Sequence, residues 1–328
     1  MAISFSDILE ADTRIRPLVR ETPLLSSHDL DALVGAQVLV KADCLQPRGS
    51  FKMRGATNAI LQRRDEAVSR GIVAYSSGNH AQAVAYVARH IGAKATIVVP
   101  ADTPMAKLEA ARRDGAELVT YDRATESREA IARGIIEETG AILVPPFDLE
   151  DVIAGQGTCG LEMIRQARAQ GAEPDAIVVC CSGGGLSAGV AVAAGELAPD
   201  AQIYLAEPEG FDDFARSLAA GSHVSNAAAS GSVQDALLTQ TPGQLTLPIL
   251  AAAGAQGLVA SDAEALAAVA LAFATLRIVV EPGGACALAS LVRAKDRFQG
   301  QTVLVTASGG NIDPQTFIRA LAGQVASR

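Results

Sequence analysis

A lysine lies at a predicted boundary between a strand and a helix. Lys52 belongs to the run GSFKMRGA at residues 49–56, which follows a predicted strand and opens a predicted helix. A lysine amine can form an imine with an aldehyde cofactor when burial lowers its pKa. Most lysines are solvated, so a surface lysine beside a helix start is the simpler interpretation of this motif on its own.

A second motif is rich in glycine. The run SGGGLSAG at residues 182–189 follows the apolar segment 176–181 and opens a helix. Successive glycines let backbone N–H groups approach an anion, and a helix N-terminus favours negative charge. The run lacks the spacing of a Walker loop or of a dinucleotide fold. It therefore predicts a different kind of phosphate cradle, with a flexible turn as the alternative.

Two polar motifs complete the set. The run SSGNHAQ at residues 76–82 combines hydroxyls, an amide and the N–H groups of a helix start, which together suit a substrate carboxylate. An N-cap with spare polar residues is its alternative. The run ASGGN at residues 307–311 follows the last predicted strand and places the Ser308 hydroxyl where a ring nitrogen could lie, or forms a simple turn.

Predicted strands and helices alternate and position these motifs. Strands are predicted at residues 37–44, 72–75, 95–99, 117–121, 176–181, 202–206 and 302–306. Helices are predicted at residues 54–69, 81–91, 104–114, 125–139, 152–170, 186–197, 263–276 and 285–297. This alternation predicts mostly parallel sheets covered by helices, with ligands bound beyond the carboxyl ends of the strands.

Composition excludes several classes of protein. The 328 residues are 49% hydrophobic and carry a net charge of −9 without a basic run, so we expect no nucleic-acid partner. No apolar stretch reaches the length of a membrane span, and the first residues lack a signal core. The five cysteines form no CxxC pair, which predicts buried thiols in a reducing cytoplasm.

Together and in this order, the four motifs resemble the fold-type-II pyridoxal-phosphate enzymes. The closest group contains serine/threonine dehydratases, serine racemases and 3-hydroxyaspartate ammonia-lyases, and the resemblance runs from Arg20 to Asn311. It implies an α/β fold similar to the tryptophan synthase β-chain, with two open, mostly parallel twisted sheets flanked by helices. It also implies a large cofactor-binding domain at 1–70 and 149–328, a small substrate-side domain at 71–148, and a homodimer.

The resemblance implies roles for the motif residues. Lys52 would hold pyridoxal 5′-phosphate as an imine and later move the substrate α-proton, with Ser77 opposite it as a second acid/base. The implied cofactor-binding residues are Phe51, Lys52, Asn79, Gly183, Gly184, Gly185, Leu186, Glu281 and Ser308. The residues implied around the substrate carboxylate are Ser76, Ser77, Asn79 and His80.

Arg128 bears on substrate choice. In the racemase-like group the matching arginine reaches into the site, where it could bind a distal carboxylate through two parallel hydrogen bonds worth on the order of 1.5–3 kcal/mol. The alternative is an exposed helix arginine that pairs with a nearby acid. Ser77 also favours the racemases and hydroxyaspartate lyases, because these carry serine at this position, while the resembling threonine dehydratases often carry alanine.

The resemblance also implies a metal site. Glu207 and Asp213, with the carbonyl of Phe211, would supply hard oxygen ligands suited to Mg2+ or Ca2+. Two solvated acids near a helix start are the alternative, and the spacing alone does not decide between them.

Three positions depart from the pattern of the resembling enzymes. Ser182 stands where some have a fourth glycine, Phe147 where racemases carry a polar residue, and Asp235-Ala236 where Asp-Gly is more usual. We therefore expect a cofactor-dependent ammonia-lyase acting on a small β-hydroxy amino acid, with 3-hydroxyaspartate favoured. The alternatives are a serine/threonine dehydratase, a serine racemase and, from another class, a non-catalytic pyridoxal-phosphate-binding protein.

Overall fold

The computed structural model describes residues 3–103 and 105–325. The strands within these ranges are β1 (Leu24–Ser26), β2 (Gln37–Lys41), β3 (Ile72–Tyr75), β4 (Ala95–Pro100), β5 (Glu117–Tyr121), β6 (Ile142–Leu143), β7 (Ala176–Cys180), β8 (Gln202–Pro208), β9 (Gln256–Ala260) and β10 (Thr302–Thr306).

Helices surround these strands. They are α1 (Phe5–Ile15), α2 (His28–Val34), α3 (Lys52–Gln62), α4 (Arg64–Arg70), α5 (Asn79–Ile91), α6 (Met105–Arg113), α7 (Arg128–Thr139), α8 (Glu150–Ala169), α9 (Gly185–Leu197), α10 (Asp213–Ala220), α11 (Thr246–Ala252), α12 (Asp262–Leu276), α13 (Pro282–Arg293) and α14 (Pro314–Val325).

The larger sheet has six strands in the order β1-β2-β10-β7-β8-β9. Only β1 runs antiparallel to its neighbour; the other strands pair in parallel, with Val303 of β10 opposite both Val38 of β2 and Ala176 of β7. Strand β7 is buried at all of its residues, as expected for a central strand covered by helices on both faces. The glycine motif follows this strand, and Ser308 follows its neighbour β10.

The smaller sheet has four parallel strands in the order β5-β4-β3-β6. All four lie within residues 71–148. The lysine helix α3 packs against this sheet, because Met53 and Ile60 belong to the same buried cluster as Ile72 and Ile97. The residue before α3 contacts the segment that follows β10 of the larger sheet, because the N–H of Phe51 donates to the carbonyl of Ser308 at 3.0 Å.

The predicted fold class is confirmed: the chain is α/β with two mostly parallel sheets flanked by helices. Several element boundaries were predicted wrongly. The helix predicted at 54–69 is two helices, because Arg63 leaves the helical region with φ −119° and ψ 36°. The strand predicted at 37–44 ends at Lys41, since residues 43–45 form a tight helical turn.

Other elements carried too little pattern to be predicted. Strand β6 has two residues, β1 has three, and Gly257 interrupts the apolar pattern of β9. Within the described ranges no helix is both long enough and apolar enough to cross a membrane. All five cysteines are buried and free.

Candidate active site

Lys52 lies at the start of α3 with its amine turned toward the loop before α8. Its Nζ donates a hydrogen bond of 2.7 Å to the carbonyl of Pro146 and lies 5.0 Å from the centroid of the Phe51 ring. Burial disfavours the charged amine and lowers the pKa of Lys52 from 10.5 to about 8. The lower pKa increases the unprotonated fraction of this amine near neutral pH, and that form can act as a nucleophile or a base.

The glycine motif forms the N-terminus of α9. Gly184 is the N-cap of this helix with φ 88°, and it has no side chain to accept from the N–H groups of the first turn. A Cβ at this position would lie 2.5 Å from the Phe214 ring, so the turn requires glycine. The backbone N–H groups of Gly185 and Leu186 thus open an uncapped helix N-terminus, which fits a phosphate.

Phe147 supports this loop from the opposite side. A Cβ on Gly183 would lie 2.4 Å from the Phe147 ring, so the ring is packed directly on the glycine backbone. The neighbouring Asp148 accepts hydrogen bonds of 2.9 Å from the backbone N–H groups of Gln244 and Leu245. The segment 145–148 therefore connects the lysine, through Pro146, with the glycine loop.

The back of the glycine loop is also held by hydroxyls. Thr246 Oγ1 donates to the carbonyl of Gly183 at 2.7 Å, and Ser182 Oγ contacts Thr239 Oγ1 at 2.7 Å. The serine that departs from the resembling enzymes thus has a partner in this chain. Sequence reasoning missed Pro146, Asp148 and Thr246, because no motif marks them and they approach the site only through folding.

Asn79, the first residue of α5, forms hydrogen bonds through both polar atoms of its side-chain amide. Its Nδ2 donates to Glu281 Oε1 at 2.6 Å, and its Oδ1 accepts from Asn311 Nδ2 at 2.7 Å. Glu281 is the N-cap of α13, and Asn311 ends the fourth motif. Two of the predicted cofactor-binding residues, Asn79 and Glu281, are therefore in direct contact although 202 positions separate them.

Ser308 follows β10 and is 4% exposed. Its carbonyl accepts from the N–H of Phe51 at 3.0 Å, and its N–H donates to the carbonyl of Gly284 at 3.2 Å. These bonds fix the serine beside the lysine loop. The Ser308 hydroxyl contacts the Cys180 thiol, which is uncharged because burial raises its pKa.

His80 is buried beside Lys52 in a neutral form. Its Nε2 contacts the carbonyl of Val144 at 2.8 Å, which assigns the proton to Nε2, while Nδ1 has no hydrogen-bond partner among the described residues. Burial and the nearby Lys52 charge lower the pKa of His80 to about 3. The ring therefore orders the chain before Pro146 without contributing charge.

Ser76 and Ser77 fill the turn between β3 and α5 and are partly buried. Ser76 Oγ accepts a hydrogen bond of 3.3 Å from the N–H of Gly78. The turn lies between Tyr75, at the end of β3, and Asn79. The substrate roles of both serines remain predictions.

Arg128 is the first residue of α7 and its side chain is 41% exposed. Its Nε donates to Glu129 Oε1 at 2.7 Å, and its guanidinium lies 5.0 Å from the centroid of the Tyr75 ring. The arginine thus pairs with a nearby acid, yet it lies over the residue that immediately precedes Ser76. It is close enough to the site to be considered further.

Glu207 and Asp213 are fully buried behind the glycine loop. Glu207 accepts hydrogen bonds of 2.9 Å from the N–H groups of Phe214 and Ala215, and Asp213 Oδ1 accepts from Asn226 at 2.6 Å. Asp213 Oδ2 has no hydrogen-bond partner among the described residues. Burial raises the pKa of Asp213 to about 6 and that of Glu207 well above its usual range.

A cation between these carboxylates would offset their burial, so the oxygen set fits Mg2+ or Ca2+. Among the described residues no group of three or more His, Cys, Asp or Glu is arranged to hold a metal ion. Any cation here would therefore need a backbone carbonyl or water as a further ligand.

Comparisons with known proteins agree with this fold. The chain is 42% identical to the L-threo-3-hydroxyaspartate ammonia-lyase of a Pseudomonas species over 98% of this chain and 99% of that one. The structure of maize serine racemase matches it with a TM-score of 0.91 and 37% identity, covering 100% of this chain and 99% of the other. The structure of a threonine deaminase from T.th. matches with a TM-score of 0.88 and 43% identity, over 95% of this chain and 99% of the other.

A family match covers the site as well as both sheets. Residues 15–309 correspond to the family described as pyridoxal-phosphate dependent enzymes, and this range includes Lys52, the glycine loop and Ser308. The chain is therefore a member of the pyridoxal-phosphate dependent enzyme family.

Proposed function

We propose that this chain is an ammonia-lyase that converts a β-hydroxy amino acid, with 3-hydroxyaspartate favoured, to a keto acid and ammonia. The observation that carries the proposal is that the Lys52 amine donates to the carbonyl of Pro146, whose neighbour Phe147 packs on the uncapped, glycine-rich start of α9. The 42% identity to an L-threo-3-hydroxyaspartate ammonia-lyase supports the choice of substrate. The substrate is a small amino acid.

The site residues fit pyridoxal phosphate. Bound, the cofactor supplies an electron sink that makes the α-proton of an amino acid acidic. In the proposal Lys52 binds its aldehyde, the N–H groups of Gly183, Gly184, Gly185 and Leu186 bind its phosphate, and Asn79 and Ser308 bind its ring substituents, with Phe51 and Glu281 beside the ring. The uncapped start of α9 supports the phosphate assignment.

Lys52 is the proposed base. With its pKa lowered to about 8, the amine can take the α-proton near neutral pH. The protonated amine can then donate a hydrogen bond to the Pro146 carbonyl. Ser308 is uncharged, so it cannot fix a proton on a ring nitrogen as an acid would. This favours departure of the β-hydroxyl once the α-proton has left.

We assign Ser76, Ser77 and the helix start at Asn79 to the substrate carboxylate, with Ser77 as second acid/base and His80 behind them.

Arg128 is the proposed selector of substrate. Its position over Tyr75 brings the guanidinium to the same end of β3 as Ser76 and Ser77. To bind a distal carboxylate, Arg128 would exchange Glu129 for the substrate, and two parallel hydrogen bonds would then distinguish 3-hydroxyaspartate from threonine.

Serine racemase is the second candidate. The Ser77 hydroxyl and the TM-score of 0.91 with maize serine racemase favour it. The apolar Phe147 on the glycine loop favours the lyase, because it replaces the polar side chain that racemases of this group carry. A non-catalytic binding protein is the weakest alternative, because binding alone does not require the reactive lysine.

One assay separates these candidates. Keto-acid formation and inversion of configuration should be measured with serine, threonine and the diastereomers of 3-hydroxyaspartate. We expect fastest keto-acid formation with one diastereomer of 3-hydroxyaspartate. Faster inversion of serine than elimination from any substrate would favour the racemase, and no reaction with any of them would contradict the proposed function.

Further features are proposed with it. We propose a Mg2+ or Ca2+ ion at Glu207, Asp213 and the Phe211 carbonyl, supported by the unpartnered Asp213 Oδ2 among the described residues. We also propose a cytoplasmic homodimer in which residues 71–148 form the small domain. The buried free cysteines suit a reducing compartment.

A further inference from the structure

Arg48 has an unusual backbone immediately before the lysine helix. Its φ is 61° and its ψ is 16°, a left-handed conformation that costs a residue other than glycine free energy. Gly49 follows with φ 71°. Because this conformation costs free energy, the contacts of Arg48, four positions before Lys52, must offset it.

The Arg48 side chain forms a bidentate ion pair. Its Nε and Nη2 donate to the two carboxylate oxygens of Asp114 at 2.6 and 2.5 Å, although the residues are 66 positions apart. The side chain of Asp114 is 1% exposed and that of Arg48 is 30% exposed. Arg89 adds a longer contact of 3.2 Å to the same carboxylate. A sheltered bidentate pair is directional and weakly screened by salt, and we call this pair the clasp.

The clasp connects to the substrate-side turn by two routes. The Arg48 guanidinium lies 4.9 Å from the centroid of the Tyr86 ring on α5, the helix that begins at Asn79. The carbonyl of Arg48 accepts from Asn311 Nδ2 at 2.8 Å, and the same amide donates to Asn79 Oδ1. Arg48 therefore contacts α5 directly through its side chain, and its backbone reaches Asn79, at the end of the turn, through the bridging amide of Asn311.

We propose that Arg48 is a positioning residue. Its clasp with Asp114 holds the turn at residues 76–80 in the correct position relative to Lys52. The proposal rests on the proposed function only in assigning this turn to the substrate. When the clasp is broken, a smaller fraction of the protein has both halves of the site in place. The apparent affinity for substrate falls by that fraction, while the fully liganded enzyme still turns over normally.

The variants are chosen to remove the clasp alone. Arg48→Asn introduces a residue that tolerates left-handed backbone, so the carbonyl that Asn311 binds is retained. Asp114→Asn removes the charge and keeps the shape. Arg123→Asn is the matched control, because it removes an exposed arginine–aspartate pair of 3.0 Å with Asp102 near the same sheet.

Steady-state kinetics of the holoenzyme test the proposal. We expect each clasp variant to raise KM about 10-fold with kcat changed less than about twofold, and the double variant to match the single ones. Arg123→Asn should behave as wild type. A structural role would lower kcat at unchanged KM through loss of folded enzyme, and that result would overturn the proposal. An unchanged KM would overturn it as well. So would a double variant whose increase in KM equals the product of the increases in the two single variants.

Hydrogen exchange gives a second measurement that needs no substrate. In Arg48→Asn without ligand, the amide of Gln82, which donates to the carbonyl of Gly78 at 3.3 Å, and the amides of the next turn of α5 should exchange faster than in wild type or in Arg123→Asn. Equal exchange in all three proteins would contradict the clasp even if turnover is normal. Faster exchange in a protein without turnover would uphold the clasp and reject the proposed function alone.

Discussion

The chemistry depends first on the protonation of one amine. Burial lowers the pKa of Lys52 from 10.5 to about 8, and only the unprotonated amine attacks an aldehyde. Capture of pyridoxal phosphate by the apoprotein should therefore be slow below this pH, accelerate through it and level off above it. The same shift should make the folded apoprotein more stable as pH rises from about 8 towards 10.5, because the unfolded chain then binds more protons.

The exposed Lys94 provides the control for this pH dependence. Lys94→Ala should leave the midpoint of cofactor capture unchanged, as followed by the absorbance of the bound cofactor. A midpoint near the ordinary lysine value, or a rate independent of pH, would show that Lys52 is not held in the buried environment described above.

The proposed role of Arg128 in substrate choice is tested at the same scale. Arg128→Ala should lower kcat/KM for 3-hydroxyaspartate by roughly 10- to 100-fold, at about 1.4 kcal/mol per decade, and leave the value for serine nearly unchanged. Arg133→Ala, an exposed arginine on the same helix, should affect neither substrate. An equal loss on both substrates would assign Arg128 a structural role, and an unchanged preference would mean that it faces solvent.

The start of α9 is the proposed phosphate site, and it can be tested at the scale of this one element. Gly184 combines a φ of 88° with contacts that leave no space for a Cβ, so Gly184→Ala should weaken cofactor binding at least 10-fold, about 1.4 kcal/mol, and displace the start of α9. Gly195 lies in the same helix with open space around it, and Gly195→Ala should stabilise the protein by about 0.5–1 kcal/mol without changing cofactor affinity. Cofactor titration and thermal unfolding measure both effects. Equal cofactor affinity in both variants would reject the cradle.

The motifs could be predicted from the sequence because each one lies where a strand ends and a helix begins. Lys52, Gly184 and Ser308 follow β2, β7 and β10, which are neighbours in one sheet. The partners that complete the site could not be predicted in this way. Pro146 reaches Lys52 across 94 positions, and Asp148 reaches Leu245 across 97. Such contacts follow from how the two sheets pack together, which local patterns do not encode.

The stability of the whole molecule tests the proposed cation. An ion that binds only the folded protein stabilises it by about 2.7 kcal/mol at 100 times its Kd, so the melting temperature rises with ion concentration. We expect Mg2+ or Ca2+ to raise the Tm of metal-stripped protein through Glu207 and Asp213. A Glu207→Gln, Asp213→Asn double variant should show no such increase. Equal increases in both proteins would place the ion elsewhere, and no increase in wild type would reject the site.

The most direct test of the central claim is keto-acid formation by Lys52→Ala beside wild type, with 3-hydroxyaspartate as substrate. The account predicts turnover by wild type and none by the variant, since Lys52 both binds the cofactor and moves the α-proton. Circular dichroism should show an unchanged fold, because within the described residues the Lys52 side chain forms a single hydrogen bond, to the Pro146 carbonyl. Normal turnover by a folded Lys52→Ala protein would contradict the account.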